Sequence, residues 1–194
     1  MRKVLVMAVV LVFFGGAVFA SWSSWEDYQT YKKAKANASA ASDGGDTVTA
    51  VAEYKLAAEL ASKSGTKEYQ GWQLNNAAYA LIKKFKADTE YQVKIDKLSL
   101  MEPGSDKIEY QKEIAAVFEG GLMLLEEAQA ILDEAKALFP EAEVAAEEAE
   151  KKEEEKEGEE GQAEEQPALS GPMVKIVSNI EFIAWVKKFV DENK

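Results

Sequence analysis

The side chains that could carry chemistry in this chain are carboxylates, amines, hydroxyls and amides, because its 194 residues include no His and no Cys. Without imidazole there is no Ser–His–Asp or Cys–His base. Without thiolate there is no cysteine-ligated zinc, iron–sulfur cluster, disulfide or thiol nucleophile. Glycoside hydrolysis needs only a pair of carboxylates, but no Asp or Glu is set apart by spacing from the many others. The sequence holds no phosphate-binding Gly-rich loop or HExxH pair. Asp43-Gly44-Gly45-Asp46 offers two carboxylates around a turn and lacks the full ligand series of a calcium loop. It reads as a helix connection in which Asp46 caps the next helix. Trp25, Trp72 and Tyr79 could line a ligand pocket, although aromatics at helical spacing more often fill a core. No catalytic residue, metal ligand or cofactor is expected. The net charge of −12 argues against nucleic acid, whose binding needs clustered Lys and Arg.

The elements that must position these residues are helices. Residues 22–140 are rich in Ala, Leu, Lys and Glu, and Pro occurs there only at 103 and 140. Trp25, Tyr28 and Tyr31 lie along one stripe. Val48, Val51, Tyr54, Ala58 and Ala61 make a second. A third runs from Ile108 through Ile114, Val117, Phe118, Leu122, Leu125, Ala128, Ile131, Leu132 and Ala135 to Leu138. Spacings of three and four are helical, and no sustained alternation of period two is present. Breaks are expected at 42–46 (SDGGD), at Ser64-Gly65, at 102–105 (EPGS), at Gly120-Gly121 and at Pro140.

Residues 1–20, MRKVLVMAVVLVFFGGAVFA, read as a signal peptide. Arg2 and Lys3 precede an apolar run broken at Gly15-Gly16, and Val18 and Ala20 suit the small-residue cleavage pattern. Cleavage after Ala17 is the near alternative. An uncleaved anchor is the other, since the apolar stretch of about 17 residues sits at the short limit of a bilayer span. No Cys follows to carry a lipid. An acidic, cysteine-free exported chain points to a bacterial periplasm or the medium, with no stable membrane span after cleavage. Residues 141–165 hold thirteen Glu and three Lys, a net of −10. With the Gly and Pro that follow, residues 141–177 read as an acidic, partly disordered linker. It either keeps two parts apart and soluble or attracts a basic partner.

Small residues recur within the helical region. Ala50, Tyr54 and Ala57 are echoed by Ala128, Leu132 and Ala135, with Pro140 five residues further, and Ala87, Tyr91 and Lys94 make a degraded copy between them. Small residues at this spacing let one helix sit close against its partner. The pattern, with its terminal Pro, resembles the second helix of tetratricopeptide repeats, and WQLNNAAYALIKKF at 72–85 resembles the first. The copies stand 37 and 41 residues apart, further than the family's ~34. The resemblance covers about residues 22–140. It implies an all-α domain over 21–140, with antiparallel helical hairpins stacked as a short tetratricopeptide-like solenoid, and function by surface. On it, Trp72, Asn75, Asn76 and Tyr79 become groove residues. Asn suits such a groove because it pairs with both N–H and C=O of an extended peptide. A generic antiparallel helical bundle is the alternative.

The segment 178–194 opens on Ser178 and Glu181, a capping box, with Val177 and Phe182 placed as a hydrophobic staple. Ile180, Phe182, Ile183, Trp185, Val186, Phe189 and Val190 span about 220° of this amphipathic helix at 100° per residue. That is wider than a surface helix needs, so the helix must dock. It caps the open end of the array, fits the groove of a partner, or lies on a membrane surface. The sequence as a whole predicts a non-enzymatic, exported adaptor that binds a protein or peptide in the cell envelope. A small-molecule or glycan-binding, or hydrolytic, protein with an aromatic-lined pocket is the alternative. N-terminal sequencing of the exported protein should begin at Ser21, and an intact Met1 would refute cleavage.

Overall fold

Six α-helices and no strand make up the residues that the computed structural model describes, which are 22, 24–140 and 171–194. The expected leader, 1–20, and the acidic stretch, 141–165, lie outside them. α1 spans Trp25–Asp43, α2 Thr47–Lys63, α3 Lys67–Asp88, α4 Tyr91–Ser99, α5 Ser105–Lys136 and α6 Pro172–Glu192. The chain is all-α, as its periodicity of three and four requires. The turns at 44–46, 64–66 and 100–104 fall where Gly, Ser and Pro interrupt the apolar stripes. Asp46 caps α2, its Oδ1 accepting from the Thr49 N–H at 3.1 Å. Hydrogen bonding from the Thr49 side chain, and then from its N–H, holds the carboxyl below the usual carboxylate range.

Cross-contacts fix the helix directions. Gln73 of α3 bonds Tyr31 of α1, and Lys83 of α3 bonds the Ser42 carbonyl. These partners are 42 and 41 residues apart, so both numbers rise together and α1 and α3 run parallel. α2 lies against both and returns between them. Phe85 of α3 packs on Phe118 and against Gly121, whereas Gly71 meets Phe139, so α5 runs antiparallel to α3. α6 packs chiefly on α5 and also on α3, with Phe189 on Phe118. α1, α3 and α6 therefore point one way, and α2 and α5 the other.

Alanine makes this close packing possible. Ala50, Ala57, Ala77, Ala78, Ala128 and Ala135 are fully buried, and each lets a neighbouring backbone approach. The larger core joins α2, α3, α5 and α6 through Leu74, Ile82, Phe85, Ile114, Phe118, Leu125, Leu132, Ile176, Ile183 and Val186. A smaller cluster of Trp22, Tyr31, Ala34, Ala57, Leu60 and Ala61 ties the chain before α1 to α1 and α2. Val48 and Ile108 belong to the sequence stripes yet stand exposed, because each lies in the first turn of its helix, beyond the neighbouring helices.

Three local expectations are corrected. The expected break at Gly120-Gly121 does not occur, and α5 runs through it for 32 residues. Glycine there serves packing: a Cβ on Gly121 would sit 2.6 Å from Cδ2 of Phe85. Ser178 does not start the last helix. α6 begins at Pro172 with Gly171 as N-cap, because Met173 and Ile176 extend the buried stripe and Pro is suited to the first helical position. Residues 172–177 are thus helix rather than linker. Finally, Ala87, Tyr91 and Lys94 do not share a helix. α3 ends at Asp88, Glu90 is left-handed with φ 51°, and α4 departs in a new direction.

The two adjacent glycines generate a paired prediction. Gly121→Ala should destabilise by about 1–3 kcal/mol through overpacking against Phe85. Gly120→Ala, which has open space around it, should stabilise by up to about 1 kcal/mol through helix propensity. Urea denaturation of both variants measures the difference, and equal effects would refute the packing role of Gly121.

Candidate functional site

A groove opens along α1 where its exposed stripe faces the start of α3. Tyr28, Tyr31, Lys32, Lys35 and Ser39 recur at helical spacing, so they project from one side of α1. Tyr69 of α3 closes the opposite wall, and Ala36 completes the lining of a cavity of about 420 Å³. That volume lies within the ~300–1,000 Å³ typical of ligand sites.

The start of α1 is fixed by Ser24, whose Oγ accepts from the Asp27 N–H at 3.0 Å and donates to its carboxylate at 2.8 Å. This reciprocal cap sets the rotation of Tyr28 and Tyr31. Tyr31 forms the floor. It is 7 % exposed, and its ring lies 4.8 Å from that of Trp22 and 6.2 Å from that of Tyr69. The Gln73 side-chain amide donates to its hydroxyl at 3.1 Å. Burial pushes the Tyr31 pKa up, with Tyr69 adding to the rise and the Gln73 bond opposing it. Tyr31 therefore stays neutral, a rigid polar-tipped ring.

The rim is charged. Lys32 holds its ammonium 5.6 Å from the Tyr28 ring centroid, a cation–π contact. Neither Lys32 nor Lys35 forms an ion pair with another described residue. Residues 28–42 carry three Lys and no acid in a chain of net charge −12. The groove can thus present aromatic faces together with two ammonium groups. No carboxylate lines it, and among the described residues no cluster of acidic side chains could hold a metal ion.

The residues singled out in the sequence divide between two surroundings. Trp72 and Asn76 are half-buried and Tyr79 is 50 % exposed. At 100° per residue they continue the stripe that Tyr69 begins on α3. Asn75 points elsewhere. It is 5 % exposed, and its Oδ1 accepts from Asn179 Nδ2 of α6 at 2.9 Å. In α6, Ile183, Val186 and Val190 are fully buried; Ile180, Phe182 and Phe189 pack on the same core; Trp185 stays 41 % exposed. The last helix thus covers part of α3 in cis and leaves the α1 side open. Sequence reasoning missed Lys32, Lys35, Ser39 and Tyr69. The signal available was the spacing of Tyr28, Tyr31, Lys32 and Lys35, a mixed aromatic and cationic stripe. Among the described residues no helix is long and apolar enough to cross a membrane.

The bond between the two asparagines crosses 104 residues of sequence. Asn179→Ala should cost about 1–3 kcal/mol by leaving the buried Asn75 carbonyl oxygen without a donor. The double variant with Asn75→Ala should cost less than the two single changes together, and strict additivity in thermal or urea unfolding would show that the bond contributes nothing. No protein-family model, curated protein or solved structure matches this chain.

Proposed function

We propose that this chain is an exported, periplasmic adaptor built of stacked helical hairpins, which holds a protein or peptide partner of the cell envelope on the open side of α1 and α3. The observation that carries the reading is the groove of Tyr28, Tyr31, Lys32, Lys35 and Tyr69, continued by Trp72, Asn76 and Tyr79 along α3. Half-exposed aromatics beside charged rims are the composition of a recognition surface. The parallel course of α1 and α3, offset by 41 and 42 residues with α2 returning between them, supports the tetratricopeptide-like arrangement. Helix lengths depart from that family: α3 and α5 have 22 and 32 residues, whereas a whole repeat has ~34. The array is accordingly read as longer hairpins that use the same stacking principle. The docked α6 acts as the terminal cap that such arrays need. A hydrolytic reading gains no support from a groove without carboxylates.

Site-specific photocrosslinking in the native envelope tests the proposal. A photoreactive residue at position 35 or 76 should give a discrete protein adduct, and one at position 59, exposed on α2, should not. Adducts that are equal at all three positions, or absent at 35 and 76, would refute a recognition face on α1 and α3.

A further inference from the structure

The groove is cationic in a chain of net charge −12, and this selects its partner. We infer that the groove between α1 and the start of α3 takes an extended acidic peptide segment of a partner protein, with carboxylates on Lys32 and Lys35 and aromatic or apolar side chains on Tyr28, Tyr31 and Tyr69. The inference rests on the adaptor reading and adds the chemistry of the partner.

Two observations lead to it. First, residues 28–42 carry three Lys and no acid in a chain where acids outnumber bases by 35 to 23, and Lys32 and Lys35 form no ion pair with another described residue. Lys63, Lys84, Lys94 and Lys188, by contrast, each pair with an acid one helical turn away: Glu59, Asp88, Glu90 and Glu192. An unmatched cationic patch in an otherwise anionic field attracts and orients an anionic chain. Second, the floor is fixed. Tyr31 is held by Gln73 and by the Trp22 and Tyr69 rings, so the apolar half of the groove exists before a ligand arrives and binding spends little on ordering it.

The same surroundings disfavour a flat anionic membrane. Glu26 and Asp27 stand in the first turn of α1 beside Tyr28, Glu68 stands beside Tyr69, and Asp43 closes the far end of α1. A lipid surface laid across the groove would meet these carboxylates as well as the two lysines. A single extended chain lying within the groove passes between them.

The test uses the full mature chain and a short fluorescein-labelled peptide of glutamates interrupted by phenylalanines, with a glutamine-for-glutamate peptide as control. Fluorescence anisotropy should give a Kd of roughly micromolar order. Binding should weaken about tenfold or more between about 50 mM and about 500 mM salt, and about tenfold in the variant Lys32→Glu/Lys35→Glu. Tyr69→Ala should also weaken it. The charge-matched variant Lys63→Glu/Lys188→Glu, altered away from the groove, should bind as the parent does. Circular dichroism confirms that each variant is folded, which is expected because all these side chains are exposed.

Unchanged binding in Lys32→Glu/Lys35→Glu would overturn the inference. So would equal binding of the glutamine peptide. Lysine-dependent co-sedimentation with phosphatidylglycerol vesicles, without peptide binding, would overturn it in favour of a membrane surface. Peptide binding that emerges only after the glutamates of 141–165 are replaced by glutamine would overturn it in favour of the chain's own acidic stretch. If crosslinks at position 35 or 76 persist while the acidic peptide fails, the adaptor reading stands and only the partner chemistry falls.

Discussion

The placement of the Phe85 ring against Gly121 governs the rest of the architecture. Phe85 is fully buried, and the absence of a side chain on α5 at 121 lets α3 and α5 close around it. The ring then seeds an aromatic cluster shared by four helices. Phe118 meets it at 5.5 Å and Phe182 at 6.3 Å. Tyr91 of α4 joins Phe118 and Phe182, and Phe189 joins Phe118. Lys86 lies 4.1 Å from the Phe182 ring centroid, and burial lowers its pKa. α6 finds its seat through these rings, and its position in turn decides that Asn75 is covered while the α1 side of α3 stays open. Each fully buried large apolar side chain contributes about 1.5–3 kcal/mol, so this meeting point outweighs anything on the surface.

Ion pairs play a lesser part. Among the described residues most join exposed side chains one helical turn apart, and such pairs are individually worth about 0–1 kcal/mol. Their effect is on the pattern of free charge. None of those among the described residues draws an acid to Lys32 or Lys35, and the α1 stripe stays a local positive field. The smaller core beneath it, with Trp22 and Tyr31 against Leu60, fixes the tyrosine floor independently of the Phe85 cluster. Groove and last helix therefore stand on separate supports, joined through α2 and α3.

Much of this was legible in the sequence because helix periodicity is a local property. Ala50, Ala57, Ala128 and Ala135 were readable as packing positions, and Asp46 as a cap, since each follows from spacing alone. Gly120-Gly121 was misread because a glycine that ends a helix and one that admits a neighbouring ring look the same along the chain. Distinguishing them required Phe85, 36 positions earlier in the chain. Ser178 offered a well-formed capping box, yet Met173 and Ile176 gained more by extending the buried stripe. The lysines of the groove escaped notice for a different reason. An exposed Lys on a polar helix is unremarkable until the rest of the structure shows which carboxylates fail to reach it.

Gly71 has a consequence of its own. Phe139, just past α5, and Pro172, at the start of α6, converge on it: a Cβ there would lie 2.6 Å from Phe139 Cε2 and 3.3 Å from Pro172 Cγ. The chain thus leaves the core and re-enters it at a single anchor point. Closing a connection between two neighbouring points depends weakly on length, about 0.6 kcal/mol for each doubling. Residues could be added or removed between Pro140 and Gly171 at small thermodynamic expense. A reporter domain could be housed there without disturbing either core.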